Sequence, residues 1–96
     1  MSDVINKIPR ISQDITTRFL GDEAVIMNLK TVKTFSLNET AAKVWSYIDG
    51  SITIDEIVQK VFAEYDVTDT ACRDAVTEII GQFSSENIIE LVDPHE

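Results

Sequence analysis

The spacing of the apolar residues changes once along this chain, and that change constrains the fold more than any other feature. Before about Leu37, short runs alternate apolar and polar residues, as half-buried strands do. After Leu37, apolar residues recur every three or four positions in three successive segments, which is typical of amphipathic helices. Strands followed by helices, rather than alternating with them, predict an α+β fold.

The strand half contains three β-like segments, residues 15–20, 24–29 and 32–36. Gly21-Asp22-Glu23 supplies turn residues between the first two, and Lys30-Thr31 separates the third. Strands joined by such short links most simply form a three-stranded antiparallel meander in the order one-two-three. Residues 1–14 show no sustained period around Pro9, so we expect a flexible tail there and one domain over residues 15–92.

Three helices are predicted to follow the strands. Asn38 is a candidate N-cap of the first helix, which Asp49-Gly50 would close. Thr53-Ile54-Asp55-Glu56 is a capping box for the second, whose apolar stripe runs to Tyr65. The third begins near Thr70 and buries Cys72, Val76, Ile79, Ile80 and Phe83. Residues 87–92 are either a short closing strand or an apolar return over the core. This layout matches winged-helix-like domains.

The charge of the chain is strongly acidic and unevenly distributed. The net charge is −9; residues 1–48 carry six basic and five acidic side chains, whereas residues 49–96 carry two and twelve. Such a field repels phosphate backbones and anionic lipid, so we expect neither nucleic acid nor membrane as a partner. The excess acid serves solubility or favours a neutral to basic ligand.

The residues needed for catalysis or metal binding are scarce. His95 is the only histidine and Cys72 the only cysteine, so neither a nucleophile–base pair nor a four-ligand metal site is expected. The acids near helix starts, such as Asp55 and Asp69, are explained by helix capping. The sequence thus predicts a non-enzyme without cofactor or metal. No signal peptide or membrane-length apolar run occurs, and a lone cysteine suits a reducing compartment, which together predict a cytoplasmic protein.

The third strand offers a binding surface made of backbone groups. In a three-stranded meander this strand is an edge with unpaired amide and carbonyl groups. Lys33 is the kind of charged residue that protects such an edge, but the same edge can also accept an incoming peptide strand. The adjacent helix would then form the other side of a groove.

Several motifs along the chain resemble one known family. Their core is an LNxTAxxxW…DG pattern, and further matches are Thr53, Glu56-Ile57, Tyr65-Asp66-Val67, Asp74-Ala75-Val76, Phe83 and Ile88-Ile89. In this chain the core reads Leu37-Asn38-Glu39-Thr40-Ala41-Ala42-Lys43-Val44-Trp45, then Ile48-Asp49-Gly50. From about Arg18 to Leu91 the chain resembles the PqqD-like family of peptide-recognition domains, also called RiPP recognition elements. It departs from the family at Val32 and Asn87, where many members have glycine.

The resemblance implies a winged-helix-like fold whose third strand and third helix hold the leader segment of a precursor peptide. The peptide is delivered to a modifying enzyme, often a radical SAM enzyme, in ribosomally synthesised and modified peptide pathways. Carried over by position, the peptide-binding strand residues are Lys33, Thr34, Phe35 and Ser36. On the third helix, a row beside the buried stripe gives Ala71, Ala75, Glu78 and Gln82.

Two other functions stay open at this point. The same edge strand could serve a structural adaptor or homodimerisation module, so a homodimer is a possible partner state. A DNA-binding winged-helix regulator is a third hypothesis, although the helices expose mostly acids.

Overall fold

A computed structural model describes residues 4–65 and 67–94 of the chain. After a 3₁₀ turn at Val4–Asn6, the elements are β1 (Ile8–Ile11), β2 (Ile15–Leu20), β3 (Glu23–Asn28), β4 (Thr34–Leu37), α1 (Glu39–Ser46), α2 (Ile54–Phe62), α3 (Asp69–Ser85) and β5 (Ile89–Val92). The α+β class, with a three-stranded antiparallel sheet and three helices, is confirmed.

The three-stranded sheet has the order β2-β3-β4, as the short links predict. Ile26 in the central strand lies opposite Thr17 on one side and Phe35 on the other. Ala24, Ile26 and Leu37 are buried on the face that packs against the helices. The sheet is therefore one layer of the core, and the helices are the other.

Residues 8–11 differ from the flexible tail that the sequence predicts for residues 1–14. They form β1 and pair antiparallel with β5, with Ile8 opposite Val92 and Ile11 opposite Ile89. The amide of Ser12 donates to the carbonyl of Ile88 (3.0 Å), so the alternation of the ladder points the nitrogen of Pro9 away from β5. Pro9 is buried in this position, and its missing N–H costs no ladder bond. Residues 1–3 lie outside the described residues.

A side-chain hydrogen bond caps the N-terminus of each of the three helices. The Asn38 carboxamide accepts from the amide of Ala41 (2.9 Å). At α2, the Thr53 hydroxyl accepts from the Glu56 amide (3.2 Å) while the Glu56 carboxylate accepts from the Thr53 amide (2.8 Å), so the capping box is confirmed. The Thr68 hydroxyl starts α3 by accepting from the Ala71 amide (3.1 Å).

Two helices end earlier than the sequence predicts. The last turn of α1 tightens, because the amides of Tyr47 and Ile48 donate to carbonyls three residues earlier, and the helix stops at Ser46 rather than at Asp49-Gly50. In the same way α2 stops at Phe62, where Glu64 donates to Val61, so Tyr65 lies beyond it.

Trp45 joins three elements at the centre of the core. Its ring is 2% exposed and meets the ring of Phe83 in α3 edge-to-face, with centroids 5.2 Å apart. Its indole nitrogen donates to the hydroxyl of Thr17 in β2 (2.9 Å). A buried Trp N–H needs such a partner, so this bond fixes α1 against the sheet.

The turn between β3 and β4 contains an unusual backbone conformation. The Asn28 side chain accepts from the amides of Lys30 and Thr31 (2.9 and 3.1 Å). The chain then passes through Val32 at φ 56°, in the left-handed region that β-branched residues avoid. Asn87 also has a positive φ (62°), which asparagine tolerates better. Both positions at which the sequence departs from the glycines common in the family it resembles thus lie in the left-handed region.

Replacing Val32 by glycine should stabilise the protein. Val32 is 73% exposed, so the substitution removes left-handed strain of about 1–2 kcal/mol and almost no packing, while extra chain entropy offsets part of the gain. We expect a net increase in the free energy of unfolding of about 1 kcal/mol, measured by urea denaturation. Lys30→Gly is the matched control, because Lys30 is exposed without a positive φ, and it should lose stability. A loss in both variants would contradict the strain argument.

Removing the hydroxyl that pairs with Trp45 should destabilise the core. Thr17→Val keeps the shape but leaves the buried indole N–H without an acceptor, a cost of about 1–3 kcal/mol. Urea unfolding followed by the fluorescence of Trp45, the only tryptophan, measures this directly. The neighbouring Thr16 is exposed, so Thr16→Val should change stability little. Equal effects of the two variants would show that the hydrogen bond contributes nothing.

Candidate functional site

One edge of β4 has no strand partner among the described residues. The carbonyl of Lys33 accepts from the amide of Asn28 (2.9 Å), and the register continues this pairing at Phe35 and Leu37. Because backbone groups alternate in direction along an antiparallel strand, Thr34 and Ser36 point their N–H and C=O groups away from β3. The free edge therefore presents four hydrogen-bonding groups from two exposed residues.

A groove lies between β4 and the C-terminal part of α3, and we call it the β4–α3 groove. It encloses about 240 Å³ and is lined by Phe35, Ser36, Leu37, Gln82, Phe83, Ser85, Glu86 and Ile88. Leu37, Phe83 and Ile88 are core residues whose outer edges form an apolar floor. The half-buried Phe35 ring extends this floor towards the free edge of β4.

A side-chain pair crosses one end of the β4–α3 groove. The Lys33 ammonium lies 3.6 Å from a Glu86 carboxylate oxygen and 5.8 Å from the centre of the Phe35 ring. Lys33 shares the groove face of the strand with Phe35, since side chains alternate along a strand. Both charged groups are well exposed, so the pair contributes little to stability. It nevertheless links the two walls of the groove at this end.

A second depression lies beside the N-terminal part of α3, and we call it the α3 hollow. It encloses about 300 Å³ and is lined by Thr40, Val61, Tyr65, Val67, Ala71, Cys72, Ala75 and Val76. Its floor is apolar, because Val61, Cys72 and Val76 are buried. Burial raises the pKa of the Cys72 thiol, which lies 3.6 Å from the Val58 carbonyl, so the thiol is neutral near pH 7.

The sequence-predicted site residues fall into separate places in the structure. Phe35, Ser36 and Gln82 line the β4–α3 groove together, and Ala71 and Ala75 line the α3 hollow. Thr34 contributes backbone groups at the edge, and Lys33 crosses the end of the groove. Glu78 is exposed on α3 and is absent from the lining of both depressions.

Sequence reasoning missed several lining residues. The sequence predicts core positions for Leu37, Phe83 and Ile88. Only the fold shows that the edges of these side chains are accessible from the groove. The sequence could have predicted Glu86 as a lining residue, because it lies one helical turn beyond Gln82 and continues the predicted row on α3. Tyr65 and Val67 reach the α3 hollow because α2 ends before them.

Of the ten described acidic residues between positions 49 and 94, six are paired with bases, whereas Asp74 and Glu78 on α3 are not. Lys7 pairs with Asp93, Arg10 with Glu90, Lys43 with Glu64, and Arg73 with Asp55 and Asp69. The Glu64 carboxylate raises the pKa of Lys43 through a hydrogen bond and its charge. No described basic side chain lies within 4.0 Å of the carboxylate of Asp74 or Glu78. Unneutralised charge thus remains on the exposed side of α3.

The described residues contain no group of three or more His, Cys, Asp or Glu side chains arranged to hold a metal ion. No helix among them is both long and apolar enough to cross a bilayer. His95, the only histidine, lies outside the described residues. The geometry that stands out is thus a free strand edge beside an apolar groove, which suits binding of an extended chain.

Solved structures with the same fold include two proteins bound to leader peptides. The first, described as TbiB1 in complex with the TbiA(beta) leader peptide, is 23% identical, with a TM-score of 0.78 over 84% of this chain and 94% of that one. The second, lasso peptide synthetase B1 complexed with the leader peptide, is 16% identical, with a TM-score of 0.71 over 85% of this chain and 96% of that one. At these identities the likeness shows the fold alone.

Comparison with protein families gives a match to PqqD, described as coenzyme PQQ synthesis protein D, over residues 23–89. No curated protein matches the chain. The matched segment runs from β3 to the first residue of β5 and includes β4, all three helices and both depressions. Because it covers more than half of the sequence, the chain belongs to the PqqD family.

Proposed function

We propose that this protein binds the leader segment of a ribosomally made precursor peptide by adding it as a strand to β4, and presents the peptide to a modifying enzyme. The observation that carries the proposal is the outward backbone of Thr34 and Ser36 beside the apolar β4–α3 groove. Membership of the PqqD family supports it, as do two solved structures of the same fold that hold leader peptides.

The strand geometry specifies how such a peptide would sit. Hydrogen bonds to Thr34 and Ser36 fix its backbone, and the peptide residue opposite Phe35 directs its side chain to the same face as Phe35. That face is the β4–α3 groove, whose floor is apolar. Backbone bonds then supply affinity for any extended chain, and an apolar residue in the groove supplies selectivity.

The role proposed for the protein in the pathway is non-catalytic. Holding the leader keeps the rest of the precursor near the enzyme and raises its effective concentration at the active site. We propose a peptide-modifying enzyme as the second partner, with a radical SAM enzyme as the specific candidate. The family description, coenzyme PQQ synthesis, names one pathway in which such a partner would act.

The first test removes one outward hydrogen-bond donor from the edge of β4. In Ser36→Pro the proline lacks the Ser36 N–H and places its ring on the free edge, while every β3–β4 bond stays intact. The probe is a fluorescein-labelled synthetic leader, made from the precursor reading frame that inspection of the neighbouring genes identifies. We expect Kd, measured by fluorescence anisotropy, to rise at least tenfold with little change in thermal midpoint.

The control places the same substitution at the opposite edge of the sheet. The Leu29 amide donates to the Asp14 carbonyl (2.7 Å), so the ladder alternation turns the Phe19 N–H outward from β2. Phe19→Pro should therefore bind the leader like the unmodified protein. Wild-type affinity in Ser36→Pro would contradict strand addition at β4. A stable dimer in sedimentation that dissociates on Ser36→Pro would favour the homodimer alternative.

The second test concerns the charge of the peptide. Asp74 and Glu78 leave negative charge on α3, and Glu78 lies one helical turn before the groove residue Gln82, so we propose a neutral to basic leader. Glu78→Lys should raise Kd about three- to tenfold in low salt, and added salt should reduce this difference. Glu23→Lys makes the same charge change at the start of β3 and should have a smaller effect. Unchanged affinity in Glu78→Lys would leave solubility as the explanation of the excess of acidic residues.

A further inference from the structure

The two depressions on α3 lie along one path. Lys33, just before β4, contacts Glu86, just after α3, whereas Thr40, in the first turn of α1, lines the α3 hollow with Ala71 and Ala75. The course from β4 into α1 is thus opposite to the direction of α3. A chain that follows the free edge from Thr34 past Leu37 therefore moves away from the Lys33–Glu86 pair and towards the α3 hollow.

The lining of the α3 hollow selects for an apolar occupant. None of its lining residues carries a formal charge at neutral pH, and its buried floor consists of Val61, Cys72 and Val76. At about 300 Å³ it has room for a whole leucine or phenylalanine side chain. The exposed residues on α3 at its rim are Ala71 and Ala75, whose small side chains leave it open.

The distance between the two depressions sets a spacing for an extended peptide. From Phe83 to Ala75 the helix rises ~12 Å, at ~1.5 Å per residue. An extended chain covers this in about four residues, at ~3.3 Å each. Side chains on one face of a strand recur every second residue, so a spacing of four also keeps both side chains on the groove face.

Resting on the proposed function, we infer that the leader carries two apolar anchors four residues apart. One faces Phe35 in the β4–α3 groove, and the other enters the α3 hollow. Three observations argue for this single occupant: the hollow lies on the same helix as the groove, beyond the Leu37 end of β4; its lining is uncharged; and the Lys33–Glu86 pair lies at the other end. The protein would then recognise the spacing of two apolar residues in the leader as well as its extended backbone.

Filling the hollow tests the second anchor. In Ala75→Leu an exposed helical alanine becomes a leucine that covers the hollow, so the fold should be retained. With the same labelled leader we expect Kd to rise tenfold or more. Ala63→Leu is the matched control, because Ala63 is exposed at the end of α2 and does not line the hollow. Its Kd should stay within twofold of the unmodified protein.

Alanine scanning of the peptide supplies an independent measurement. Two positions four residues apart should each lose at least tenfold in affinity against the unmodified protein. Against Ala75→Leu, substitution at the position that enters the hollow should have no further effect, while the other position keeps its full effect. A single sensitive position, a different spacing, or effects unchanged in Ala75→Leu would overturn the inference.

The outcomes separate this inference from the proposed function. If Ser36→Pro abolishes binding while Ala75→Leu binds normally, the second anchor is wrong and strand addition stands. If Ser36→Pro binds normally, strand addition itself fails. A dimer in sedimentation that Ala75→Leu disrupts would assign the hollow to a second copy of the chain and overturn the inference.

Discussion

The contact of Trp45 with Thr17 and Phe83 is the interaction on which the rest of the structure depends. It ties the first helix to the sheet by a hydrogen bond and to α3 by an edge-to-face ring contact. The groove beside β4 exists only while α3 keeps its position relative to the sheet, and Phe83 belongs to both the core contact and the groove floor. The floor of the β4–α3 groove is therefore built from residues of the core.

The backbone groups of β4 alternate between hydrogen bonds to β3 and the free edge of the sheet. Lys33, Phe35 and Leu37 bond to β3, whereas Thr34 and Ser36 face outward. Side chains follow the same alternation: Phe35 and Leu37 face the helices, and Thr34 and Ser36 face solvent. A short strand can thus hold its own sheet together and keep a complete edge for another chain. An acidic helix beside that edge favours neutral to basic chains over acidic ones.

Features set by near neighbours could be read from the sequence, and those set by distant contacts could not. Asn38 and the Thr53–Glu56 capping box act within three residues, and the short turns imposed the strand order. The sequence did not predict β1, because its partner β5 is some eighty residues away and because a proline such as Pro9 argues against a strand. The predicted row lies on the helix that lines both depressions, but the division into groove and hollow could not be predicted, because it depends on where α2 ends and where β4 runs.

The pairing of β1 with β5 has a consequence for the order in which the molecule assembles. Every other sheet contact joins segments close in sequence, but this one closes a loop that contains all the remaining elements. Closing so long a loop carries the largest chain-entropy cost of the pairings in the fold, so we expect it to form after the meander and the helices. The family match begins at residue 23 and so includes neither β1 nor β2. The Ile88 carbonyl accepts from the Ser12 amide next to β1, while the Ile88 side chain lines the β4–α3 groove, so the N-terminal strand helps to hold the floor of that groove in place.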